Sequence, residues 1–175
     1  MNVERRRMMR LVTGLLLAGV LAGCEKAPVL AKGDPAPPFQ LETLRGPALS
    51  IPDGVTGYPV VVRFWADWCP SCRSEMAVLE KQYQQRKKVG LRVVAVNVGQ
   101  ERATAQRFAD EFALTYDMLL DGSSQVARRY GVNALPMTYL IGPDGKIVNK
   151  IIGETDEKSL IGQLDRLMDS AARGR

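Results

Sequence analysis

Two cysteines separated by two residues, Cys69 and Cys72, are the groups in this chain best suited to chemistry. Cys69 follows an apolar segment and precedes Pro70, a residue favoured at the first helical position because its missing N–H is not needed there. We therefore predict Cys69 at a helix N-terminus, where the helix dipole lowers the thiol pKa and makes this sulfur the attacking nucleophile. Cys72, one turn further on, would be the resolving thiol that breaks the mixed disulfide.

The same pair could instead form half of a zinc site or a purely structural disulfide. Zinc needs about four ligands, whereas the chain has no histidine and no second Cys-x-x-Cys. A disulfide across one helical turn closes almost no loop and therefore stabilises the fold little. Both alternatives are weaker than redox exchange, and we expect no metal and no cofactor beyond the cysteine pair. The missing histidine also excludes Ser-His and Cys-His catalytic pairs.

Glu75 is three residues after Cys72, so the two side chains share one face of the predicted helix. Its carboxylate could exchange a proton with Cys72, or it could be a solvated residue near a helix start. Arg63 is a charge inside an apolar strand and needs a carboxylate partner or an exposed position, because an unpaired buried charge is costly. Glu75 is one candidate partner for Arg63.

Pro136 begins a predicted strand after a turn. A cis peptide bond at this position could bring the backbone against the cysteine pair. Proline is also common at the first residue of a strand, and the residues alone leave both interpretations open.

The segments that must position these residues show helix and strand periodicities. Valine-rich apolar runs alternate with segments of helical period, which predicts parallel strands joined by helices on both sheet faces. Two short β-type segments around a turn come first, and two strands joined by a tight turn and an amphipathic helix come last. The predicted strands are 39–41, 49–51, 60–65, 91–98, 137–141 and 146–152, and the predicted helices are 70–88, 101–112, 123–130 and one carrying Leu160, Leu164 and Leu167.

A Cys-x-x-Cys at the first strand-to-helix junction of such a chain favours one architecture. We expect an α/β fold, a thioredoxin-like three-layer α/β/α sandwich around a mixed sheet with an N-terminal β-hairpin extension. The length of 175 residues suits one such domain, which we expect to be a monomer.

The N-terminus has the layout of a signal peptide, with basic residues in 1–10 and an apolar run over 11–23. This run is short for a transmembrane helix, which needs about 20 residues. It ends in Leu21-Ala22-Gly23-Cys24, which resembles a bacterial lipobox, in which the cysteine is acylated and becomes the first mature residue. An uncleaved signal anchor is the alternative, and either interpretation puts the following residues outside the cytoplasm.

We therefore predict a signal peptide at 1–23, a lipidated, proline-rich tether at 24–38, a thioredoxin-like domain at 39–170 and a flexible tail at 171–175. A cysteine pair in an oxidising compartment stays oxidised unless an electron supply reduces it. The formal net charge of +5 lies largely in the arginines of 1–10, so we expect no nucleic acid partner.

These motifs together resemble the TlpA/ResA-like branch of the thioredoxin superfamily, from about Gly33 to Met168. In that family the proline matching Pro136 is cis and packs beside the disulfide, and the glutamate matching Glu75 takes part in catalysis. The motifs that carry the resemblance are Gly33-Asp34-Pro35-Ala36-Pro37 with Phe39 and Leu41, the run from Phe64 to Glu75, Val94 to Gly99, Tyr130-Gly131-Val132, Leu135-Pro136, Tyr139-Leu140-Ile141 and Asp144-Gly145-Lys146.

The resemblance implies that Trp68, Pro70, Ser71, Leu135 and Pro136 shape the substrate-binding surface around the cysteines. Two positions depart from the pattern. Arg63 stands where ordinary thioredoxin has a buried aspartate, so Glu75 would have to supply the proton chemistry. Met137 replaces the family's usual threonine after the proline and suggests a more apolar substrate contact.

Members of this branch reduce the haem-binding Cys-x-x-Cys of apocytochrome c with electrons from a membrane reductase of the DsbD/CcdA kind, and many are tethered to the membrane. We adopt this as the expected function, with a lipid anchor on Cys24. The alternatives are a broader periplasmic disulfide reductase, an oxidase or isomerase, a peroxiredoxin-type peroxidase and a non-catalytic lipoprotein binding module. Paired cysteines at the strand–helix junction favour dithiol exchange over peroxide chemistry.

Overall fold

The computed structural model describes residues 29–173, so the predicted signal peptide, Cys24 and the first part of the predicted tether lie outside it. Within this range, no helix combines the length and the apolar character needed to cross a membrane. The strands are β1 (Phe39–Leu41), β2 (Leu49–Ile51), β3 (Val60–Trp65), β4 (Arg92–Val98), β5 (Asp117–Asp121), β6 (Met137–Ile141) and β7 (Ile147–Ile152), and the helices are α1 (Pro70–Arg86), α2 (Arg102–Glu111), α3 (Gln125–Arg129) and α4 (Glu157–Arg173).

Five strands form one mixed sheet in the order β5-β4-β3-β6-β7. β3 and β4 are parallel, as are β4 and β5, whereas β6 is antiparallel to both β3 and β7. β1 and β2 form a separate antiparallel hairpin. The predicted mixed sheet and N-terminal hairpin extension are both confirmed.

Every residue of β3 is buried, because both faces of this central strand are covered. Val61 and Trp65 belong to a core with apolar residues of α1, α2 and α4. Val62 and Phe64 belong to a second core with α3 and the N-terminal hairpin. Alternate side chains of a strand point to opposite faces, so β3 supplies both cores and produces the predicted three layers.

β5 is a strand that the sequence pattern did not predict. Its five residues, Asp-Met-Leu-Leu-Asp, lack β-branched side chains and begin and end with a charge. Strand formation here depends on pairing with β4, in which Val96 lies opposite Leu119. Tertiary contact therefore decides the conformation, against a weak local preference.

Part of the predicted tether packs against the domain. The N–H of Gly33 donates to the Ile147 carbonyl at 2.8 Å, and the N–H of Ile147 donates to the Asp34 carbonyl at 2.9 Å. Lys150 Nζ donates to the Leu30 carbonyl at 2.7 Å. Residues 30–36 thus run antiparallel to the edge strand β7, whose backbone groups would otherwise lack partners. The folded domain begins before Phe39.

The predicted flexible tail at 171–175 is wrong for its first three residues, because α4 continues to Arg173. Ala171 is fully buried on the face that also carries Leu160, Leu164 and Leu167. Its small side chain extends the helical apolar stripe by one more turn.

A charge at Ala171 tests this extension of the core. Ala171→Asp should lower the free energy of unfolding by about 2–4 kcal/mol, because it buries a carboxylate against apolar side chains. Ala172→Asp, on the exposed side of the same turn, is the matched control and should change it by no more than about 0.5 kcal/mol. Urea unfolding of both variants measures the difference, and equal effects would contradict a buried Ala171.

Candidate active site

Cys69 and Cys72 form a disulfide at the start of α1, with Cα atoms 5.3 Å apart. Cys69 has extended backbone angles and immediately precedes Pro70, the first residue of α1. The Cys72 N–H donates to the Cys69 carbonyl at 3.1 Å. The positive end of the α1 dipole therefore lies at Cys69, as its position before the proline predicted.

The two sulfurs differ in their access to solvent. Cys69 is 3% exposed and Cys72 is fully buried, whereas the neighbouring Trp68 is 68% exposed. A substrate that approaches along the Trp68 surface therefore meets Cys69 first. Ser71, the remaining residue of the motif, accepts a hydrogen bond from the Ser74 hydroxyl through its carbonyl, within the first turns of α1.

The peptide bond between Leu135 and Pro136 is cis, as the family resemblance implied. β6 starts directly after Pro136 and pairs with β3, so this proline lies beside the end of the strand that leads to Cys69. Leu135 packs against the core cluster that contains both cysteines. The Pro136 carbonyl accepts a hydrogen bond from the N–H of Gly153 at 2.8 Å, which joins the loop after β7 to the same place.

Arg63 and Glu75 form a buried ion pair, with Arg63 Nη2 3.0 Å from Glu75 Oε2. Only 1% and 6% of the two side chains are exposed. Arg63 also donates to Thr138 Oγ1 at 3.0 Å, and the N–H of Thr155 donates to Glu75 Oε1 at 3.1 Å. The suggested pairing of these residues is confirmed, and the pair connects β3, α1, β6 and the loop before α4.

Glu75 also lines a small open cavity of about 130 Å³ between α1 and the loop before α4. The buried carboxylate is therefore close to solvent on one side, although its oxygens are held by Arg63 and Thr155. The cavity is lined by Ser74, Glu75, Val78, Glu154, Thr155, Glu157 and Leu160.

Met137 was suggested as an apolar contact for the substrate, but its side chain has little accessible surface because Met137 is only 3% exposed. Its partner across the strands is Ile152, which is 58% exposed. Ile152 immediately precedes Gly153 and so lies beside Pro136. The exposed apolar side chains at this end of the sheet are therefore Trp68 and Ile152, and the strand pattern gave no signal for the second.

Gln100 is a further site residue that sequence reasoning missed. It lies just after β4 and hydrogen-bonds to Asp67, two residues before Cys69. The signal available in the sequence is positional: β3 and β4 are adjacent parallel strands, so the residues that follow them meet at one edge of the sheet.

Comparisons with known proteins agree with this geometry. The AhpC/TSA family model matches residues 32–150. Thiol-disulfide oxidoreductase ResA of Geobacillus thermodenitrificans is 38% identical over 170 residues, covering 93% of this chain and 96% of that protein. ResA of Bacillus subtilis is 31% identical over 169 residues, covering 90% and 92%. A solved structure from Chlorobium tepidum, named thiol:disulfide interchange protein DsbE, is 30% identical with a TM-score of 0.75, covering 80% of this chain and 99% of that one.

The sheet order and the cysteine pair at a helix N-terminus define a thioredoxin-fold thiol–disulfide oxidoreductase. The relatives that bear this activity in their names span nearly the whole chain. The chain belongs to the AhpC/TSA family and, within it, to the thiol-disulfide oxidoreductases named ResA.

The buried ion pair leads to a stability prediction. Arg63→Met should lower the free energy of unfolding by about 3–5 kcal/mol, because it leaves the Glu75 carboxylate buried without its counter-charge. Lys81→Met breaks an exposed ion pair with Glu157 between α1 and α4 and should cost no more than about 1 kcal/mol. Urea unfolding gives both values. A double-mutant cycle with Glu75→Met measures the coupling energy between the two side chains. A coupling energy of zero would show that the interaction between Arg63 and Glu75 does not stabilise the fold.

Proposed function

We propose that this protein is an extracytoplasmic reductase of protein disulfides whose substrate is the haem-binding Cys-x-x-Cys of apocytochrome c during cytochrome c maturation. The observation that carries the proposal is the disulfide at the N-terminus of α1 with the buried Glu75 on the same helix. The family membership of the chain and its motif-level resemblance to the TlpA/ResA-like branch support the choice of substrate.

The proposed reaction moves two electrons from the cysteine pair to the substrate. In the reduced enzyme the Cys69 thiolate attacks one substrate sulfur, which forms a mixed disulfide and breaks the substrate disulfide. The departing substrate thiolate takes up a proton. Cys72 then loses its proton and attacks the Cys69 sulfur, which forms the Cys69–Cys72 disulfide and releases the second substrate thiolate. The order follows from exposure, because Cys69 is slightly exposed and Cys72 is fully buried.

Glu75 is the proposed acceptor of the Cys72 proton. It lies one helical turn from Cys72 on the same helix, and among residues 29–173 no histidine is present to serve as a base. The Arg63 guanidinium, 3.0 Å away, offsets the carboxylate charge in its buried position. The open cavity beside Glu75 gives the proton an exit to solvent. Trp68 and Ile152 form the exposed surface on which the substrate peptide docks, and the buried Pro136 lies beside Ile152.

The proposed location is the membrane surface on the extracytoplasmic side, with acylated Cys24 as the anchor. The basic and apolar segments before Cys24 and the Leu-Ala-Gly-Cys order support this. A membrane thiol reductase of the DsbD/CcdA kind would return the pair to the dithiol form. Without such a donor the pair would stay oxidised in that compartment.

A broader protein-disulfide reductase or isomerase is the second candidate, because dithiol exchange at Cys69 and Cys72 would act on any accessible protein disulfide. A peroxiredoxin-type peroxidase is less supported. The two cysteines three residues apart on one helix suit dithiol exchange, and the curated relatives are named oxidoreductases of thiols and disulfides.

Trapping identifies the substrate. Cys72→Ala lacks the resolving thiol, so it should accumulate a mixed disulfide between Cys69 and its natural partner, which mass spectrometry of the adduct from cell envelopes identifies. We expect an apocytochrome c. Cys69→Ala with Cys72→Ala is the control and should trap nothing. Adducts with many envelope proteins that lack haem sites would support the broader reductase instead.

The role of Glu75 is tested by kinetics. Glu75→Gln keeps the size of the side chain but removes the base and replaces one of its two hydrogen-bond acceptors by a donor, so resolution of the mixed disulfide should slow about 100-fold. Its formation by Cys69 should remain within a few-fold. Glu80→Gln, at a half-buried glutamate on the same helix that hydrogen-bonds to Gln84 and Thr115, is the matched control. Stopped-flow of the two steps decides the question, and equal slowing of both would remove Glu75 from this role.

An assay of two activities separates the classes of enzyme. The reduced protein should reduce insulin disulfides and lose this activity in Cys69→Ala. Hydrogen peroxide consumption, measured beside it, should stay near the buffer rate. Insulin reduction that survives Cys69→Ala would overturn the assignment of the site.

A further inference from the structure

The loop that leads from β3 to Cys69 is held by one side chain, Gln100. Its Oε1 accepts a hydrogen bond from the backbone N–H of Asp67 at 2.9 Å. Its Nε2 donates to Asp67 Oδ1. Gln100 therefore hydrogen-bonds to both the backbone and the carboxylate of Asp67, which lies two residues before the nucleophile.

Gln100 is itself fixed in place from the β4 side. Asn97, which is 1% exposed, donates from Nδ2 to Gln100 Oε1 at 2.8 Å. Gly99 has a φ of +69° and a Cβ there would lie 3.1 Å from Ser124 Oγ, so the turn requires glycine. The Gly99 N–H donates to the Asp121 carbonyl at 3.0 Å. These contacts at the end of the sheet fix the side-chain amide of Gln100 in the position from which it hydrogen-bonds to Asp67.

The charge of Asp67 gives this contact a chemical consequence. Residues two apart have Cα atoms no more than about 7 Å from each other, so a freely rotating Asp67 carboxylate would approach the Cys69 sulfur. A carboxylate at that distance opposes formation of a thiolate. None of the ion pairs found among residues 29–173 includes Asp67, so the hydrogen bonds of Gln100 are what orient it.

We propose that Gln100 is a positioning residue for thiol–disulfide exchange, which holds the Asp67 carboxylate toward β4 and away from Cys69. Its hydrogen bonds go to Asp67 and Asn97 and not to a sulfur, so it acts on Cys69 through Asp67. The proposal rests on the proposed role of Cys69 as the attacking sulfur. It goes beyond that role because it assigns the reactivity of Cys69 to a residue on the neighbouring strand.

The test measures the reactivity of Cys69 against pH. In the Cys72→Ala background, alkylation of reduced Cys69 by iodoacetamide is followed by mass spectrometry of its own peptide, so that Cys24 does not contribute. Gln100→Ala should raise the pH of half-maximal alkylation by about half to one unit, since it frees the carboxylate. Gln100→Glu should raise it at least as much, because it adds a second carboxylate.

Moving the carboxylate from residue 67 to residue 100 tests whether the reactivity of Cys69 can be restored. In the double variant Gln100→Glu with Asp67→Asn, the amide of residue 67 can donate a hydrogen bond to the carboxylate of residue 100, which reverses the direction of the original bond. The pH of half-maximal alkylation should then return to within about 0.2 units of the starting protein. Asp67→Asn alone removes the charge with little change of shape, and adding Gln100→Ala to it should then shift the midpoint no further. Gln106→Ala, which breaks an exposed Gln–Asp pair on α2, is the matched control and should leave the midpoint unchanged.

Three results overturn the proposal: an unchanged midpoint in both Gln100 variants, no rescue by Asp67→Asn, or a shift from Gln100→Ala that persists when Asp67 is Asn. Thermal unfolding of each variant accompanies the assay, and the Asp67→Asn arm decides the question if Gln100→Ala fails to fold. Failure of the proposed function looks different, because Cys69 would then show no mixed disulfide with substrate even when its alkylation profile is normal.

Discussion

The ion pair between Arg63 and Glu75 is the interaction on which the rest of the site depends. It joins the central strand of the sheet to the helix that carries both cysteines, and each charge is satisfied again by Thr138 or Thr155. Two opposite charges buried together tolerate little displacement, because separation would leave each charge buried without its partner. The pair therefore fixes α1 against β3 and holds a carboxylate near Cys72 in an otherwise apolar interior.

Much of the fold could be predicted because its elements carry strong local patterns. Apart from Arg63, β3 consists of β-branched and aromatic residues, and α1 begins at a proline after a cysteine, so the sequence pattern predicts both within a few residues. β5 could not be predicted, since its Met and Leu residues do not prefer strands and its conformation comes from pairing with β4. α4 continues further than the sequence pattern predicts, because alanine gives no strong sign of burial.

The residues of the active site also fall into those that the sequence predicts and those that it does not. The cysteine pair and the pairing of Arg63 with Glu75 follow from spacing and from the cost of a buried charge, which are local arguments. The cis bond at Pro136 needed the family resemblance, because proline at a strand start is common. Gln100, Thr155 and Ile152 could not be assigned, since their relation to the cysteines exists only once distant segments have been brought together.

The N-terminal segment along β7 has a consequence for geometry at the membrane. Ala36 hydrogen-bonds to Gly145, just before β7, and Leu30 hydrogen-bonds to Lys150, further along this strand. Followed from Ala36 back to Leu30, the chain therefore approaches the end of β7 that lies beside Pro136. With the proposed anchor at Cys24, six residue-to-residue steps of at most about 3.4 Å each lead from it to Leu30. The disulfide then stays within a shallow layer, a few tens of ångströms deep, above the lipid surface. Such a tether would select substrates by their distance from the membrane: it would admit cysteines presented at the bilayer and exclude those of proteins that diffuse freely beyond it.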